Sequence, residues 1–510
     1  PWSRRRRSEL VVVTDAPTVH IARINIYRRQ FRRVLDHHCG RNESCIVAIR
    51  LYTDQYKRMT ELFIGRDREL DVLTEMYDSG RAELFVLYGR RRVGKTELLQ
   101  RFCTGRRAVY FLAAQVRDKD NLRAFRDALA DALDDPLTAS VEFTDWSSAL
   151  SFASERAGDE RLVIVLDEFP YMCEANKGLP SLLQQFWDQR GKRSNLMIVL
   201  CGSHVSFMER EVLAERSPLF GRRTGQRRLE PLQPQEAIAF YPNWSVQECM
   251  HAFGILGGMP AYLRRFDDQR SVGENVMREL LRPEGYLFDE VQFLLRTELN
   301  NPTTYNSILA AVAGGAERMG DIALTVGVDS TTAGKYLHVL RELGLVMREI
   351  PLTDPDPLRS RRGRYRIADR FVAFHFRHLQ PNVSLIQAGR GSRVYEQHVE
   401  PDFPRLFDEA RLDFILAHLM REAADLIDDE VVEVGRHTGK FIRAVGRTSS
   451  GGAVAAIVVP DPVPKLAVLE KELHELNRAF GDSVVKLVYG ITDRPDRPLE
   501  VERVPEGDLL

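Results

Sequence analysis

The sequence predicts an α/β fold: a parallel sheet with a helical lid, then a compact helix-and-hairpin unit, then a second, smaller α/β unit. Three observations point to it. Residues 84–88 and 162–166 are continuous apolar runs, the pattern of strands buried on both faces of a parallel sheet. Each run ends in a short polar signature, glycine-rich after the first and acidic after the second. Beyond Asn300 the long apolar strands give way to short segments of helical period.

The length of 510 residues fits about three domains. Hydrophobic residues make up 44% and charged residues 28%, so the chain can bury sizeable cores without disulfides. Six cysteines lie scattered, without the spacing of a disulfide framework or metal site, which suits a reducing cytoplasm. The strongly apolar runs are far too short to cross a bilayer, and no secretory apolar stretch follows Arg4–Arg7, so no membrane partner is expected.

The net charge of −1 hides an asymmetry. The first 58 residues hold 13 Lys and Arg against 5 Asp and Glu, which leaves the remainder near −9. At Met59 the character changes abruptly to Met-Thr-Glu-Leu-Phe-Ile-Gly-Arg. That change predicts a natural start at Met59, with residues 1–58 a basic extension read through from upstream; the rival reading is an arm that binds nucleic acid. His37, His38, Cys39 and Cys45 cluster in this extension, where chance adjacency outweighs a metal site.

Taken in order, the first β-prone run ends at Gly89-Arg90-Arg91-Arg92-Val93-Gly94-Lys95-Thr96 and passes into the helix-prone Glu97-Leu98-Leu99-Gln100. This is the strand, glycine-rich loop and helix setting of a P-loop. The glycines let backbone amides turn inward around phosphates, and the helix N-terminus adds its positive end. Lys95 is expected to reach the β- and γ-phosphates, and the Thr96 hydroxyl to ligate Mg2+. Residues 108–113 read as another buried strand, leaving an extra strand between the lysine strand and the acidic one. The run 162–166 then delivers Asp167 and Glu168 at its C-terminal end, where ligands of open α/β sheets bind. Asp167 is expected to hold the metal through water, and Glu168 to polarise the attacking water. A further strand, 196–201, ends in Gly202-Ser203; Ser203 is either a γ-phosphate sensor or a simple turn serine. Arg222 and Arg223, before a short strand at 226–229, are candidates to stabilise developing phosphate charge, in cis or from a neighbouring subunit.

These residues resemble the STAND-class, AAA-like P-loop ATPase family of archaea and bacteria. Phe63-Ile64-Gly65-Arg66-Asp67-Arg68-Glu69-Leu70 is similar to its N-terminal box, which implies that Ile64, Gly65 and Arg66 lie against the nucleotide base. Tyr88 to Thr96, Leu166-Asp167-Glu168-Phe169-Pro170-Tyr171, Gly202-Ser203 and Ser217-Pro218-Leu219-Phe220-Gly221-Arg222-Arg223-Thr224 match its later motifs. Leu256-Gly257-Gly258-Met259-Pro260 resembles the lid motif, which implies that Pro260 touches nucleotide. The similarity covers about residues 60–285 and implies an ATP-driven switch or motor. The expected domains are an ATPase core at 59–235, a lid at 236–300, a winged helix at 301–385 and a nuclease-like unit at 386–510.

In the second half, 303–313, 319–326 and 330–343 fit three helices, with Gly327 at the turn and Asp329 or Ser330 as N-cap. Strands at 346–351 and 364–367 complete a winged helix. Thr331, Thr332, Lys335, His338 and Arg341 are expected to face outward, and Arg359, Arg361 and Arg362 form a basic wing. Duplex DNA binding and docking onto the ATPase as a lid are nearly balanced readings. From about Gly389 the resemblance implies a restriction-nuclease-like domain, with Phe407 to Arg411 in its first helix. Its metal-holding acids and lysine are missing from 441–445 and 455–460; Asp461 alone lies nearby, so cleavage is not expected. The leading reading is an ATP-binding, ATP-hydrolysing switch. Its rivals are an ATP-gated DNA-binding regulator, a protein-interaction scaffold in defence or toxin–antitoxin control acting through the C-terminal unit, and a nuclease with other ligands.

Overall fold

The computed structural model describes residues 10–12 and 63–489, except 300, 355, 357–358, 422, 424–426, 428, 438, 459–465 and 482–483. The His37–Cys45 cluster, Met59 and Asp461 lie outside the described residues. After β1 (Leu10–Val12) the first unit runs α1 (Asp67–Asp78), β2 (Glu83–Tyr88), α2 (Lys95–Cys103), β3 (Ala108–Leu112), α3 (Asp118–Leu133) and α4 (Trp146–Ala157). It continues through β4 (Leu162–Asp167), α5 (Phe169–Ala175), α6 (Leu179–Gln189), β5 (Leu196–Gly202) and β6 (Gly225–Arg228).

Its strands form one parallel sheet in the order β3-β4-β5-β2-β6. The strand inserted between β2 and β4 is therefore β5, and the expectation for 108–113 is corrected: β3 sits at the sheet's outer edge. With a strand partner on one side only, it alternates in exposure, and Leu112 is left exposed. The apolar runs of β2, β4 and β5 follow from packing on both faces. Along β2, Phe85 and Leu87 join Leu73 of α1 and Leu98, Leu99 and Phe102 of α2. Leu84, Val86 and Tyr88 instead meet Phe125, Trp146 and Phe186 of α3, α4 and α6. Each such large side chain contributes about 1.5–3 kcal/mol on burial.

The helical segment expected as a lid holds α7 (Val246–Leu256), α8 (Pro260–Leu263), α9 (Val272–Glu279) and α10 (Glu290–Glu298). Reciprocal capping boxes, Ser245 with Glu248 and Ser271 with Glu274, start α7 and α9. Next come α11 (Thr303–Ala313), α12 (Met319–Val326), α13 (Ser330–Glu342) and the antiparallel pair β7 (Val346–Glu349) and β8 (Arg364–Ile367). Asp329 is the residue that caps α13, its carboxylate accepting from the Thr331 and Thr332 amides at 2.9 Å. One continuous apolar core extends from α2 through the lid and α11–α13 to α14 (Arg370–Phe374).

The chain ends its described course with α15 (Phe403–Arg421), β9 (Val431–Arg436), β10 (Ile442–Thr448), β11 (Ala453–Val458), α16 (Leu466–Phe480) and β12 (Val484–Tyr489). Their sheet has the order β1-β12-β11-β10-β9, with β9, β10 and β11 antiparallel and β11, β12 and β1 parallel. Leu412, Ile415 and Leu419 of α15 pack on one face, and Leu473 and Leu476 of α16 on the other. Among the described residues no helix is long and apolar enough to cross a membrane.

Candidate nucleotide site

The loop after β2 is shaped by close backbone approaches. A Cβ on Gly89 would stand 2.4 Å from the Leu229 carbonyl oxygen, so only glycine fits there. Arg92 and Gly94 both take positive φ, 67° and 95°, which turns the loop into the first turn of α2. Lys95 bends back into this loop, its Nζ donating to the Gly89 and Arg90 carbonyls at 2.8 and 3.0 Å. Burial holds its ammonium below the usual lysine range, against the raising influence of Cys201, Glu168 and Asp167.

At the neighbouring strand ends, Thr96 Oγ1 donates to Asp167 Oδ2 at 3.0 Å, and Ser203 Oγ to Glu168 Oε1 at 2.7 Å. Glu168 stands at φ 54°, a strained backbone for a non-glycine residue. A cavity of about 540 Å³ opens here, lined by Arg91, Arg92, Gly94, Lys95, Thr96, Glu97, Glu168 and Ser203 and closed from the lid by Pro260 and Arg264. Pro260 Cγ would be 3.7 Å from a Cβ on Gly94, so the lid lies directly over the loop. The donor set fits a polyphosphate with a divalent cation: a lysine and inward-turned loop for the anion, a hydroxyl and a carboxylate for the metal.

Several sequence candidates stand elsewhere. Arg222 pairs with Asp188 at 2.9 Å and donates to the Phe220 carbonyl, and Arg223 donates to the Leu213 carbonyl. Neither lines the cavity. Ile64 and Gly65 do not line it either. Arg66 is buried and braces the loop from behind, donating to the Val93 and Glu230 carbonyls at 3.0 and 2.7 Å. Val93 is fully buried in the core and acts as an anchor.

The three loop arginines point to three different elements. Arg90 pairs with Asp369 at 2.6 Å, Arg91 donates to the Tyr171 hydroxyl at 2.5 Å, and Arg92 pairs with Glu290 at 2.6 Å. Arg90 is thus directed away from the cavity, toward the start of α14. Glu290 is itself bonded by the Tyr262 hydroxyl, and burial raises its carboxyl against the lowering effect of Arg92. Sequence reading missed Gln100, one helical turn beyond Thr96, and Tyr110, Arg264 and Glu290, which reach Asp167, the cavity and Arg92 from elements that no local spacing ties to the loop. It also missed Asp369, the partner of Arg90.

Residues 63–266 match a family described as an ATPase domain predominantly from Archaea. The chain is also 33% identical over 312 residues to an uncharacterized protein of Methanocaldococcus jannaschii, covering 61% of this chain and 67% of that one. The chain belongs to this P-loop ATPase family. Among solved structures, the Walker-type ATPase of Pyrococcus abyssi is 21% identical, with 62% of this chain and 97% of that one covered and a TM-score of 0.47. A STAND protein of Pyrococcus horikoshii with a tetratricopeptide repeat sensor is 15% identical, with coverage of 73% and 51% and a TM-score of 0.29. The cavity of this family member opens where an open parallel sheet presents ligands, at the C-terminal ends of β2, β4 and β5.

Proposed function

We propose that the chain is a cytoplasmic switch that binds ATP with Mg2+ and hydrolyses it. The observation that supports this best is the paired contact across the strand ends, Thr96 on Asp167 and Ser203 on Glu168, with Lys95 turned into the loop between them. Lys95 exchanges the two loop carbonyls for phosphate oxygens. Thr96 and Asp167 would hold the metal, which would supply charge neutralisation of the phosphates when bound. Glu168 has one oxygen fixed by Ser203 and the other to polarise water. Pro260 and Arg264 cover the cavity from the lid, and Arg264 meets Glu97 across its mouth. Arg222 and Arg223 remain candidates for a neighbouring subunit's site.

The output proposed is duplex DNA, through a winged helix made of α11–α13 with β7 and β8. Thr331, Lys335, His338 and Arg341 form an exposed face of α13, and Arg359, Arg361 and Arg362 are exposed on the connection between β7 and β8. A protein-docking role is the second reading, favoured by the way this connection rests on the C-terminal sheet: Arg447 donates to the Leu352 carbonyl at 3.0 Å. The C-terminal unit is read as a restriction-nuclease-like fold kept as a platform. Supporting this, Glu472 is spent on the amides of Lys440, Phe441 and Ile442, and Arg443 on Asp408.

The test is ATP turnover by the full chain with and without duplex DNA, beside Lys95→Ala and Glu168→Gln. Lys95→Ala should abolish binding or turnover, while Glu168→Gln should bind ATP without hydrolysing it. Stimulation by DNA supports the DNA-coupled reading; a rate indifferent to DNA supports the protein partner. A wild-type chain with no turnover sinks the hydrolysis reading.

A further inference from the structure

Asp167 is bonded more heavily than its role as a metal-site carboxylate alone requires. Its Oδ1 accepts from the Glu168 amide at 2.9 Å. Its Oδ2 accepts from Thr96 at 3.0 Å and from the Tyr110 hydroxyl at 2.5 Å. Tyr110 comes from β3, the edge strand, whose parallel pairing sets it opposite Val165 and Leu112 opposite Asp167.

We propose that Tyr110 is a positioning residue for the metal-holding carboxylate; this rests on the reading of Thr96 and Asp167 as the Mg2+ site. The geometry gives the reason. Thr96 has one hydroxyl proton, and directing it at Asp167 Oδ2 leaves its oxygen lone pairs for a cation. That arrangement works only while Oδ2 stays in the plane where Thr96 can reach it. The Glu168 amide fixes Oδ1 from the chain itself, and Tyr110 fixes Oδ2 from the edge strand, beside the Thr96 hydroxyl. The carboxylate thereby loses the freedom to rotate toward the Lys95 ammonium, whose approach would remove both groups from the ligand. Partners behind a metal ligand set its orientation, and removing one typically costs about 10–100-fold in metal affinity or activity. Since Asp167 keeps two other donors, the lower end applies.

The test is Tyr110→Phe in the full chain, which keeps the ring and deletes the donor. ATP binding is measured in EDTA and in a Mg2+ titration, both in wild type and in the Glu168→Gln background, with melting followed in parallel. The expected result is a roughly tenfold higher Mg2+ concentration for half-maximal binding and turnover, with ATP affinity in EDTA unchanged. A Mg2+ requirement equal to wild type overturns the proposal. So does loss of ATP binding in EDTA as well, which would make Tyr110 a packing residue. If wild type itself shows no Mg2+-dependent binding, the underlying assignment of Thr96 and Asp167 fails first, and the proposal with it.

Discussion

The Arg90–Asp369 pair is the most direct tie between the phosphate loop and the part of the chain beyond the lid, and its worth can be measured. The side chains are 11% and 5% exposed, and their atoms meet at 2.6 Å. Burial pulls the Arg90 guanidinium down, and the field of Asp369 more than restores it, so its net pKa is raised. Removing one member leaves the other charge buried and uncompensated, which costs about 3–5 kcal/mol. That is a large share of the roughly 5–15 kcal/mol that holds a typical protein folded. Asp369 also accepts from the Val372 amide at 2.9 Å, capping α14. Asp369→Asn retains a carbonyl for that amide, so the cap contributes little to the loss, while Arg90→Met keeps the stem's volume. Urea unfolding of wild type, Arg90→Met, Asp369→Asn and the double variant, followed by tryptophan fluorescence, closes the cycle. The double variant should be less damaged than the sum of the singles by about 2–3 kcal/mol. Burial should also make this coupling insensitive to 0.5 M salt, a concentration chosen because it screens exposed pairs. Single variants within about 0.5 kcal/mol of wild type, or strictly additive losses, refute the claim that this pair is a buried tie.

Two further outcomes follow. Burial lowers His375 from 6.5 to about 4, and its Nδ1 has no partner. The unfolded chain therefore binds a proton between pH 6.5 and 4 that the native state refuses, so stability should fall as pH drops through that window. The His375 contribution is about 3 kcal/mol at most by linkage, and His251 and His437, also lowered by burial, act in the same direction. Urea midpoints at pH 7.5, 6 and 5 should decline, less steeply in His375→Phe; an unchanged slope in that variant refutes the assignment. For DNA, replacing Arg359, Arg361 and Arg362 together by Ala should weaken binding about equally for all sequences. It should also reduce the salt slope of log affinity by about 2–3, as expected for lost phosphate contacts. A slope equal to wild type removes this connection from the DNA surface.

How far the sequence discloses the molecule depends on whether a feature is local. The loop from Gly89 to Thr96 is legible because its glycines, lysine and threonine act through backbone geometry fixed within eight residues, and Asp167 and Glu168 because a buried parallel strand must end there. The helices Thr303–Ala313 and Met319–Val326 fall on the spans that periodicity gives. Strand order was not legible: 108–113 and 196–201 are both apolar, and only the pairing of β5 with β2 and β4 decides which is inserted. The contacts of Arg222 and Arg223 were not legible for a related reason. An arginine near a phosphate motif has no local mark that tells it from one held by Asp188 or by a carbonyl.

The same limit explains why the run Arg90-Arg91-Arg92 reads as phosphate-binding charge, although one member is spent on structure. From Arg90 a chain of ion pairs leads outward. Next to Asp369, Arg370 meets Glu409 and Asp413 of α15; Asp413 accepts from Arg436 of β9 at 2.6 Å; and Glu349 of β7 meets both Arg436 and Arg366. Arg370 is only 6% exposed at its side chain, so these charges sit where screening is weak and each depends on the next. Two of the loop's arginines, Arg91 and Arg92, line the cavity, and the third anchors the same rigid turn to this chain. The loop is thus tied to a buried charge that cannot be left unpaired without cost. The costs are coupled by electrostatics and not by contact area, which is why the acids at 369, 409 and 413, unremarkable in sequence, belong to the same physical unit as the P-loop.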